Sequence, residues 1–174
     1  GCGKVDRIDI ELTPVIHHCT RSWTVITDEG LLQKLGMFRQ ARLPNETGGV
    51  LLGSFELDRK ILYIVDALPS PPDSEEWPTL YIRGRKGLRK AVNDLEKKIH
   101  GMLEYIGEWH SHPPGVRAAA SCDDLKVFAW LTELMQADGL PGLMMIVGDP
   151  GRTSCYVGEI MKEENLLPGA FCHE

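Results

Sequence analysis

Two histidines one residue apart, followed by a proline and then by a Ser-x-x-Asp sequence, constrain this chain more than any other feature. The segments are His110-Ser111-His112-Pro113 and Ser121-Cys122-Asp123-Asp124. In an extended segment residues i and i+2 point to the same face, so His110 and His112 can reach one ion together. Two imidazoles and one carboxylate are suitable protein ligands for a catalytic zinc, whose remaining position stays open. The pattern therefore favours a strand that ends at a metal site.

Each part of this pattern also has a structural interpretation. Two histidines with this spacing are common on surface loops. Ser121 and Asp124 ahead of an apolar helix are typical of a capping box, in which Ser121 caps the first turn and Asp124 lies favourably against the helix dipole. The capping role is compatible with a ligand role. Position alone leaves Asp123 as a rival ligand.

Hydrolysis at such a site also requires a base, and the sequence offers two candidates. Glu46 shortly precedes Gly48-Gly49-Val50-Leu51-Leu52-Gly53, a strand pattern whose glycines permit close backbone approach. Glu108 lies two residues before His110 and would share its face, where it could hold an imidazole without touching the metal. From the residues alone, an exposed loop position is the preferred interpretation of Glu46.

Taken together, these segments resemble the signature of the JAMM (MPN-plus) metalloproteases. The shared parts are an upstream glutamate leading into a glycine-containing apolar strand, then H-S/T-H-P, then S-x-x-D. The resemblance covers about residues 22–160. It implies a JAB/MPN fold of the α/β class, similar to cytidine deaminases, with a central mixed, largely antiparallel sheet flanked by helices. The loop from Pro114 to Ala120 is one residue longer than the usual family spacing, and Gly115 makes that insertion easy to absorb.

The resemblance implies a role for each part of the site. His110, His112 and Asp124 are implied as ligands of Zn²⁺, which favours Asp124 over Asp123. Glu46 would take a proton from water and pass it to the leaving amine, and Ser121 would hydrogen-bond the oxyanion. With these residues the chain would be a JAMM-type zinc metallopeptidase.

The same resemblance indicates a substrate class. Many JAMM enzymes cut the amide bond after the C-terminus of ubiquitin or a ubiquitin-like modifier, and this chain resembles the bacterial branch. Some members of that branch remove a conjugated nucleotidyltransferase from its targets in anti-phage operons of the CBASS type. We therefore expect an isopeptidase acting on a ubiquitin-like modifier or a protein conjugated like one, with ubiquitin-activating-like or conjugating-like enzymes as further partners. Two alternatives stay open: a zinc peptidase that processes a precursor or small peptide conjugate, and a non-catalytic MPN interaction module.

Composition limits the remaining classes. Twenty-five acidic against nineteen basic residues give a net charge of -6, and the richest basic run, residues 83–90, is soon followed by acidic residues in a helical pattern. A nucleic-acid partner is therefore not expected. The five cysteines form no CxxC pair, which favours a reducing cytoplasm over a disulfide framework. No apolar run reaches the ~20 residues that span a bilayer, so no membrane partner is expected.

The length of 174 residues predicts one domain over residues 1–174, with residues 1–21 as an N-terminal extension and residues 161–174 as a C-terminal tail outside the family resemblance. Thr27 or Asp28 is expected to cap the first helix. Residues 68–78 contain four prolines and are predicted to form an irregular surface loop, either a mobile linker or a segment that grips a modifier. The predicted helices cover about residues 28–40, 88–100 and 125–135, and the predicted strands cover residues 4–12, 49–55, 61–65, 102–109, 142–148 and 154–160.

Overall fold

The computed structural model describes residues 15–19, 22–98 and 102–159 of the chain. The predicted helices and strands within these residues are confirmed, with ends that shift by a few positions. The predicted strand at residues 4–12 lies outside the described residues. In chain order the elements are β1 Val15–Cys19, β2 Thr24–Asp28, α1 Glu29–Gln40, β3 Gly48–Glu56, β4 Ile61–Ala67, β5 Glu75–Trp77, β6 Leu80–Ile82, α2 Leu88–Lys98, β7 Glu104–Ser111, α3 Cys122–Gln136, β8 Gly142–Val147 and β9 Thr153–Gly158.

Seven of the strands form one mixed sheet in the order β1-β2-β4-β3-β7-β8-β9. The pairs β2–β4 and β7–β8 are parallel, and the other neighbours are antiparallel. The predicted mixed, largely antiparallel sheet flanked by helices is therefore confirmed. Strands β3 and β7 lie side by side in the middle of the sheet, with Gly48 opposite His110. This register brings the segment that follows Glu46 next to the histidine pair.

Helices α1 and α3 cover opposite faces of the sheet. Since successive side chains along a strand point to opposite faces, they point alternately toward α1 and toward α3. Leu35 of α1 shares a core cluster with Leu143 and Met145 of β8, whereas Met144 between them faces the side of α3. Trp109 of β7 belongs to the α1 cluster and stacks on Phe38 with ring centroids 5.9 Å apart. Its neighbour in sequence, His110, therefore faces α3.

Helices α1 and α3 have well-defined starts, each with a capping side chain. The predicted cap of α1 is confirmed at Asp28, whose carboxylate accepts a hydrogen bond from the Leu31 amide at 2.7 Å. The longest helix, α3, has 15 residues. Across the described ranges no helix combines the length and the apolar character that crossing a membrane would require.

The region of residues 68–78 differs from its prediction. Glu75–Trp77 forms strand β5, which pairs with β6 to make a separate two-stranded hairpin. The expectation of an irregular loop is therefore wrong for these residues. The reason is the placement of the prolines: three precede β5 and Pro78 lies in the turn, so no proline interrupts the strand itself.

Close backbone packing at Gly53 in β3 generates a stability prediction. A Cβ at Gly53 would overlap the main-chain carbonyl of Tyr63 on β4, whereas a Cβ at Gly36, in the interior of α1, would meet nothing. We expect Gly53→Ala to lower the free energy of unfolding by ~1–3 kcal/mol through this steric overlap. Gly36→Ala should raise it by about 0.5–1 kcal/mol, because alanine favours the helix. Urea denaturation of both variants tests the pair, and equal effects would contradict this packing.

Candidate metal centre

The histidine pair and Asp124 converge at the end of β7. His110 is the penultimate residue of β7 and His112 is the first residue after the strand, with the two ring centroids 5.3 Å apart. Asp124 lies in the first turn of α3, with Oδ1 at 3.0 Å from His110 Nε2 and Oδ2 at 3.3 Å from His112 Nε2. One ligand atom from each of these residues lies within 4.8 Å of the other two. The structure thus brings together the three side chains predicted to bind a metal.

The state of the two imidazoles fits a cation. His110 Nε2 is buried and, despite its short distance to Asp124, has no hydrogen-bond partner of suitable geometry. His112 Nδ1 lies 2.7 Å from the carbonyl oxygen of Arg117. A carbonyl can only accept, so Nδ1 carries a proton. Nε2 lies 3.3 Å from Asp124 Oδ2, where it donates to the carboxylate when the ring is protonated and offers its lone pair to a cation when the ring is neutral. Two imidazole nitrogens and a carboxylate oxygen therefore point at one place, which is a donor set suited to a divalent metal.

The predicted capping box is also confirmed, and it orients the same carboxylate. Asp124 Oδ2 accepts from the Ser121 amide at 2.7 Å, while Ser121 Oγ accepts from the Asp124 amide at 3.1 Å. The rival carboxylate of Asp123 is 78% exposed and pairs with Lys126 at 2.7 Å. The capping box therefore distinguishes the two neighbouring aspartates: it directs Asp124 to the histidines and leaves Asp123 in solvent.

The electrostatics of the cluster follow from this geometry. Burial alone would raise the pKa of Asp124, but the imidazoles of His110 and His112 hold it well below its usual range. The hydrogen bond with Asp124 raises the pKa of His112. Asp124 is thus ionised at neutral pH, and its negative charge favours a positive charge between the rings. A proton and a metal ion compete for that place.

Glu46 lines the same cavity as His110, His112, Ser121 and Asp124. Burial raises the pKa of its carboxyl, and the charges of the two histidines oppose that effect. Its main-chain amide donates to the carbonyl of Trp77 at 2.8 Å. The candidate base is therefore part-buried beside the cluster, and its main chain is tied to the β5–β6 hairpin.

The comparisons with known proteins agree with this arrangement. The family described as "Prokaryotic homologs of the JAB domain" matches residues 28–157, which include the candidate base, the histidine pair and the capping box. This chain belongs to that family. The predicted resemblance to JAMM and MPN proteins is thereby confirmed at the level of the family.

Two relatives of this JAB-family chain carry the name "CD-NTase/cGAS isopeptidase". The protein from Enterobacter hormaechei subsp. hoffmannii (strain UCI 50) is 37% identical over 107 residues, which are 61% of this chain and 57% of that protein. The protein from Escherichia coli (strain TW11681) is 27% identical over 143 residues, which are 80% of this chain and 84% of that protein. The match therefore spans little more than half the length of the first relative.

Two solved structures are also similar to this chain. One is a JAB1/MPN domain protein from Archaeoglobus fulgidus, with 19% identity and a TM-score of 0.45, covering 79% of this chain and 94% of that one. The other is a protein from Desulfitobacterium hafniense, with 17% identity and a TM-score of 0.47, covering 78% and 90%.

The second candidate base, Glu108, has a different role in this JAB domain. Its Oε1 accepts hydrogen bonds from Arg83 Nε at 3.0 Å and from the Tyr105 hydroxyl at 3.1 Å. Arg83 follows strand β6, so this largely buried ion pair joins the hairpin to β7. Glu108 thus anchors the hairpin rather than holding an imidazole. The group that orients the His112 ring is the Arg117 carbonyl.

Several supporting residues carry no recognisable sequence signal, although Ser111 stands inside the HSHP motif. Ser111 is fully buried, and its Oγ accepts from the Thr47 amide at 3.1 Å while its own amide donates to the Thr47 carbonyl at 2.7 Å. The Thr47 hydroxyl donates to Glu76 of the hairpin at 2.6 Å. Period-two alternation along the strand points the Ser111 side chain to the face opposite that of His110 and His112. This alternation could have predicted from the sequence that Ser111 is buried. Glu76 depends on pairing across 29 residues and has no local signature.

A cavity of about 510 Å³ opens over the candidate metal centre. Its outer walls are apolar and exposed: Leu80 and Ile82 of the hairpin lie on one side, and Val127 and Trp130 of α3 on the other. Its floor carries His110 and Asp124. An extended chain with apolar side chains therefore suits the walls, and a reacting carbonyl suits the floor.

The two adjacent aspartates provide a matched test of the ligand set. Asp124→Asn keeps an oxygen that can accept the capping hydrogen bond but removes the charge between the histidines. We expect its metal affinity to fall by more than the ~10–100-fold typical of residues that only support a ligand. Asp123→Asn should bind metal as the unmodified protein does. Titration with Zn²⁺ against a chromophoric chelator measures both, and a larger loss in Asp123→Asn would reverse the assignment.

Proposed function

We propose that this JAB-family chain is a zinc-dependent isopeptidase that hydrolyses the amide bond after the C-terminus of a ubiquitin-like modifier or of a protein conjugated like one. The observation that carries the proposal is the convergence of His110, His112 and Asp124 in one cavity with Glu46 and Ser121. Surface histidines would not supply a buried nitrogen without a hydrogen-bond partner beside an ionised carboxylate. A non-catalytic module would not require a part-buried carboxyl beside that cluster.

His110, His112 and Asp124 would hold the ion. Zinc, when bound, supplies Lewis acidity toward a carbonyl and lowers the pKa of water. The chain itself fixes the donors: Arg117 selects the tautomer of His112, and the capping box sets the rotamer of Asp124. Such fixed donors avoid reorganisation during the reaction, which is the main electrostatic advantage of an enzyme site.

Glu46 would act as the general base and then as the general acid. Its carboxylate would accept a proton from the attacking water and donate it to the leaving amine. Burial raises the pKa of Glu46 from its ordinary value, which makes the carboxylate a stronger base than an exposed glutamate and helps it keep the acquired proton until the amine leaves. The hydrogen bond from its amide to the Trp77 carbonyl holds the main chain in place.

Ser121 would stabilise the oxyanion. Its Oγ already accepts one hydrogen bond from the Asp124 amide, which uses a lone pair and leaves the hydroxyl proton available. The serine can therefore cap α3 and donate to a developing negative charge at the same time. Its side chain lines the cavity beside the two histidines.

The cavity and the relatives support a conjugated protein as the substrate. The apolar walls formed by the hairpin and α3 suit an extended C-terminal tail, and the exposed side chains around the opening offer contact to a folded body. Relatives named "CD-NTase/cGAS isopeptidase" favour a nucleotidyltransferase of that class as the conjugated protein. A role in bacterial anti-phage defence, with ubiquitin-activating-like or conjugating-like enzymes as partners, belongs to the same proposal.

Replacing the base separates catalysis from metal binding. We expect Glu46→Gln to retain stoichiometric zinc and to lose ~10²–10⁴-fold in kcat, because the amide cannot accept the proton. Metal analysis and an isopeptide cleavage assay measure the two quantities. Glu133→Gln, an exposed carboxylate on α3 away from the cavity, is the matched control and should keep full activity. Full turnover in Glu46→Gln would remove this residue from the mechanism.

A single wall residue tests the substrate class. Deleting residues 69–76 would also remove the contact between Glu76 and Thr47, so Leu80→Ser is the cleaner change. We expect it to raise KM about 10-fold for a nucleotidyltransferase joined through its C-terminus to lysine, since it loses roughly 1.4 kcal/mol of apolar contact. Val65→Ser is the control, because Val65 is similarly exposed but lies on β4 away from the cavity.

The same assay distinguishes precursor or small-conjugate processing from cleavage of a folded conjugate. A short peptide carrying the same C-terminus and the same isopeptide bond is measured beside the protein substrate. A protein-selective enzyme should cleave the folded conjugate with a higher kcat/KM than the short peptide. Equal kcat/KM for the two substrates would favour a peptidase that recognises only the tail.

A further inference from the structure

Arg39 is a buried arginine whose interactions converge on the metal centre. It lies in the last turn of α1, where an arginine is usually solvated, yet only 5% of its surface is exposed. Its Nε donates to the main-chain carbonyl of His112 at 2.8 Å, and its Nη2 donates to Asp149 Oδ1 at 2.8 Å. One guanidinium thus joins His112 and Asp149, which lie 73 and 110 positions after Arg39 in the sequence.

Asp149, in the turn between β8 and β9, connects Arg39 to the loop that follows His112. Its second oxygen, Oδ2, accepts from the Gly115 amide at 2.9 Å. Gly115 adopts φ of +77°, a conformation that glycine accepts without strain, in the loop that leads from His112 to Ser121. Two residues later, the Arg117 carbonyl binds the His112 ring at 2.7 Å. The network therefore meets His112 twice, at its main-chain carbonyl and at its imidazole.

We propose that Arg39 is a positioning residue for the metal ligand His112, and that Asp149 extends its hold to the loop that orients the imidazole. The inference rests on the proposed metal site. Besides its approach to Asp124, three contacts hold His112: its amide to the Val147 carbonyl at 2.9 Å, its carbonyl to Arg39, and its ring to Arg117. The network supplies the second directly and supports the third through the loop.

The chemistry of the site requires arginine rather than another cation. A guanidinium is planar and presents Nε and Nη2 in a fixed fork, so it can bind two separate acceptors at once. A lysine ammonium is a single point of charge and cannot reproduce both bonds. Arg39→Lys therefore keeps the buried charge and much of the volume while losing the bridging geometry.

The test compares Zn²⁺ affinity among folded variants of the full chain. Arg39→Lys and Asp149→Asn break the network at its two ends, and Lys34→Met is the matched control. Lys34 lies on the same helix and forms an ion pair with Asp66 at 2.6 Å, with no part in the network. The Kd is measured by competition with a chromophoric chelator after urea unfolding has established the folded fraction. Hydrogen exchange of the Gly115 amide in metal-free protein reports the loop directly.

We expect Arg39→Lys to raise the Kd for Zn²⁺ about 10–100-fold, as for other residues that hold a ligand without touching the metal. Asp149→Asn should raise it less and accelerate exchange at Gly115, while Lys34→Met should leave both readouts unchanged even if it lowers stability. A wild-type Kd in both Arg39→Lys and Asp149→Asn, or an equal loss in Lys34→Met, would overturn the inference.

The proposed function can fail separately from this inference. If the unmodified protein binds no Zn²⁺, both fall together. If it binds Zn²⁺ and both network variants bind equally well, only the positioning role falls. Should Arg39→Lys not fold, Asp149→Asn decides the question alone, because its side chain is 35% exposed and its replacement leaves the core intact.

Discussion

The carboxylate of Asp124 joins the start of α3 to the end of β7, and the candidate site depends on this one junction. One of its oxygens lies beside His110. The other accepts a hydrogen bond from the Ser121 amide and lies near His112. The N-terminus of a helix favours a negative charge, so the position stabilises the ionised form before any metal binds. The position of the Asp124 carboxylate beside the histidines and the formation of the first turn of α3 therefore depend on each other. A cation held here would stabilise α3, and a well-formed α3 would strengthen the binding of the cation.

Strand alternation supplies the second constraint. Along β7, Trp109 and Ser111 point to the core under α1, while His110 points to α3. Ser111 then binds the main chain of Thr47, which places Glu46 across from the histidines. A one-residue shift of register between β3 and β7 would exchange these faces and separate the candidate base Glu46 from the histidines. The glycines of β3 make the close approach possible, since a Cβ at Gly48 would overlap the Trp109 carbonyl.

Local spacing was sufficient to predict much of this site. The i, i+2 histidines and the Ser121–Asp124 capping box depend only on the periods of strands and helices, so they could be recognised from a few residues. Glu46 required the family resemblance, because nothing in its neighbourhood distinguishes a base from a solvated loop residue. Arg39 and Asp149 could not be recognised at all. Their roles depend on how α1 and the β8–β9 turn pack in three dimensions, and a helical arginine carries no mark of that.

The two sides of the candidate site are formed by different structural elements. The ligand side consists of buried strands, a capped helix and the Arg39 network, all of which restrict motion. The side that carries the candidate base Glu46 depends on the small β5–β6 hairpin, because the Glu46 amide donates to the Trp77 carbonyl and the Thr47 hydroxyl donates to Glu76. The exposed Leu80 and Ile82 of that hairpin also form one wall of the cavity. A tail bound along this wall would therefore contact the element that holds the candidate base, while the candidate metal ligands are anchored elsewhere. In the proposed mechanism, substrate contacts would therefore act on proton transfer more directly than on the metal site.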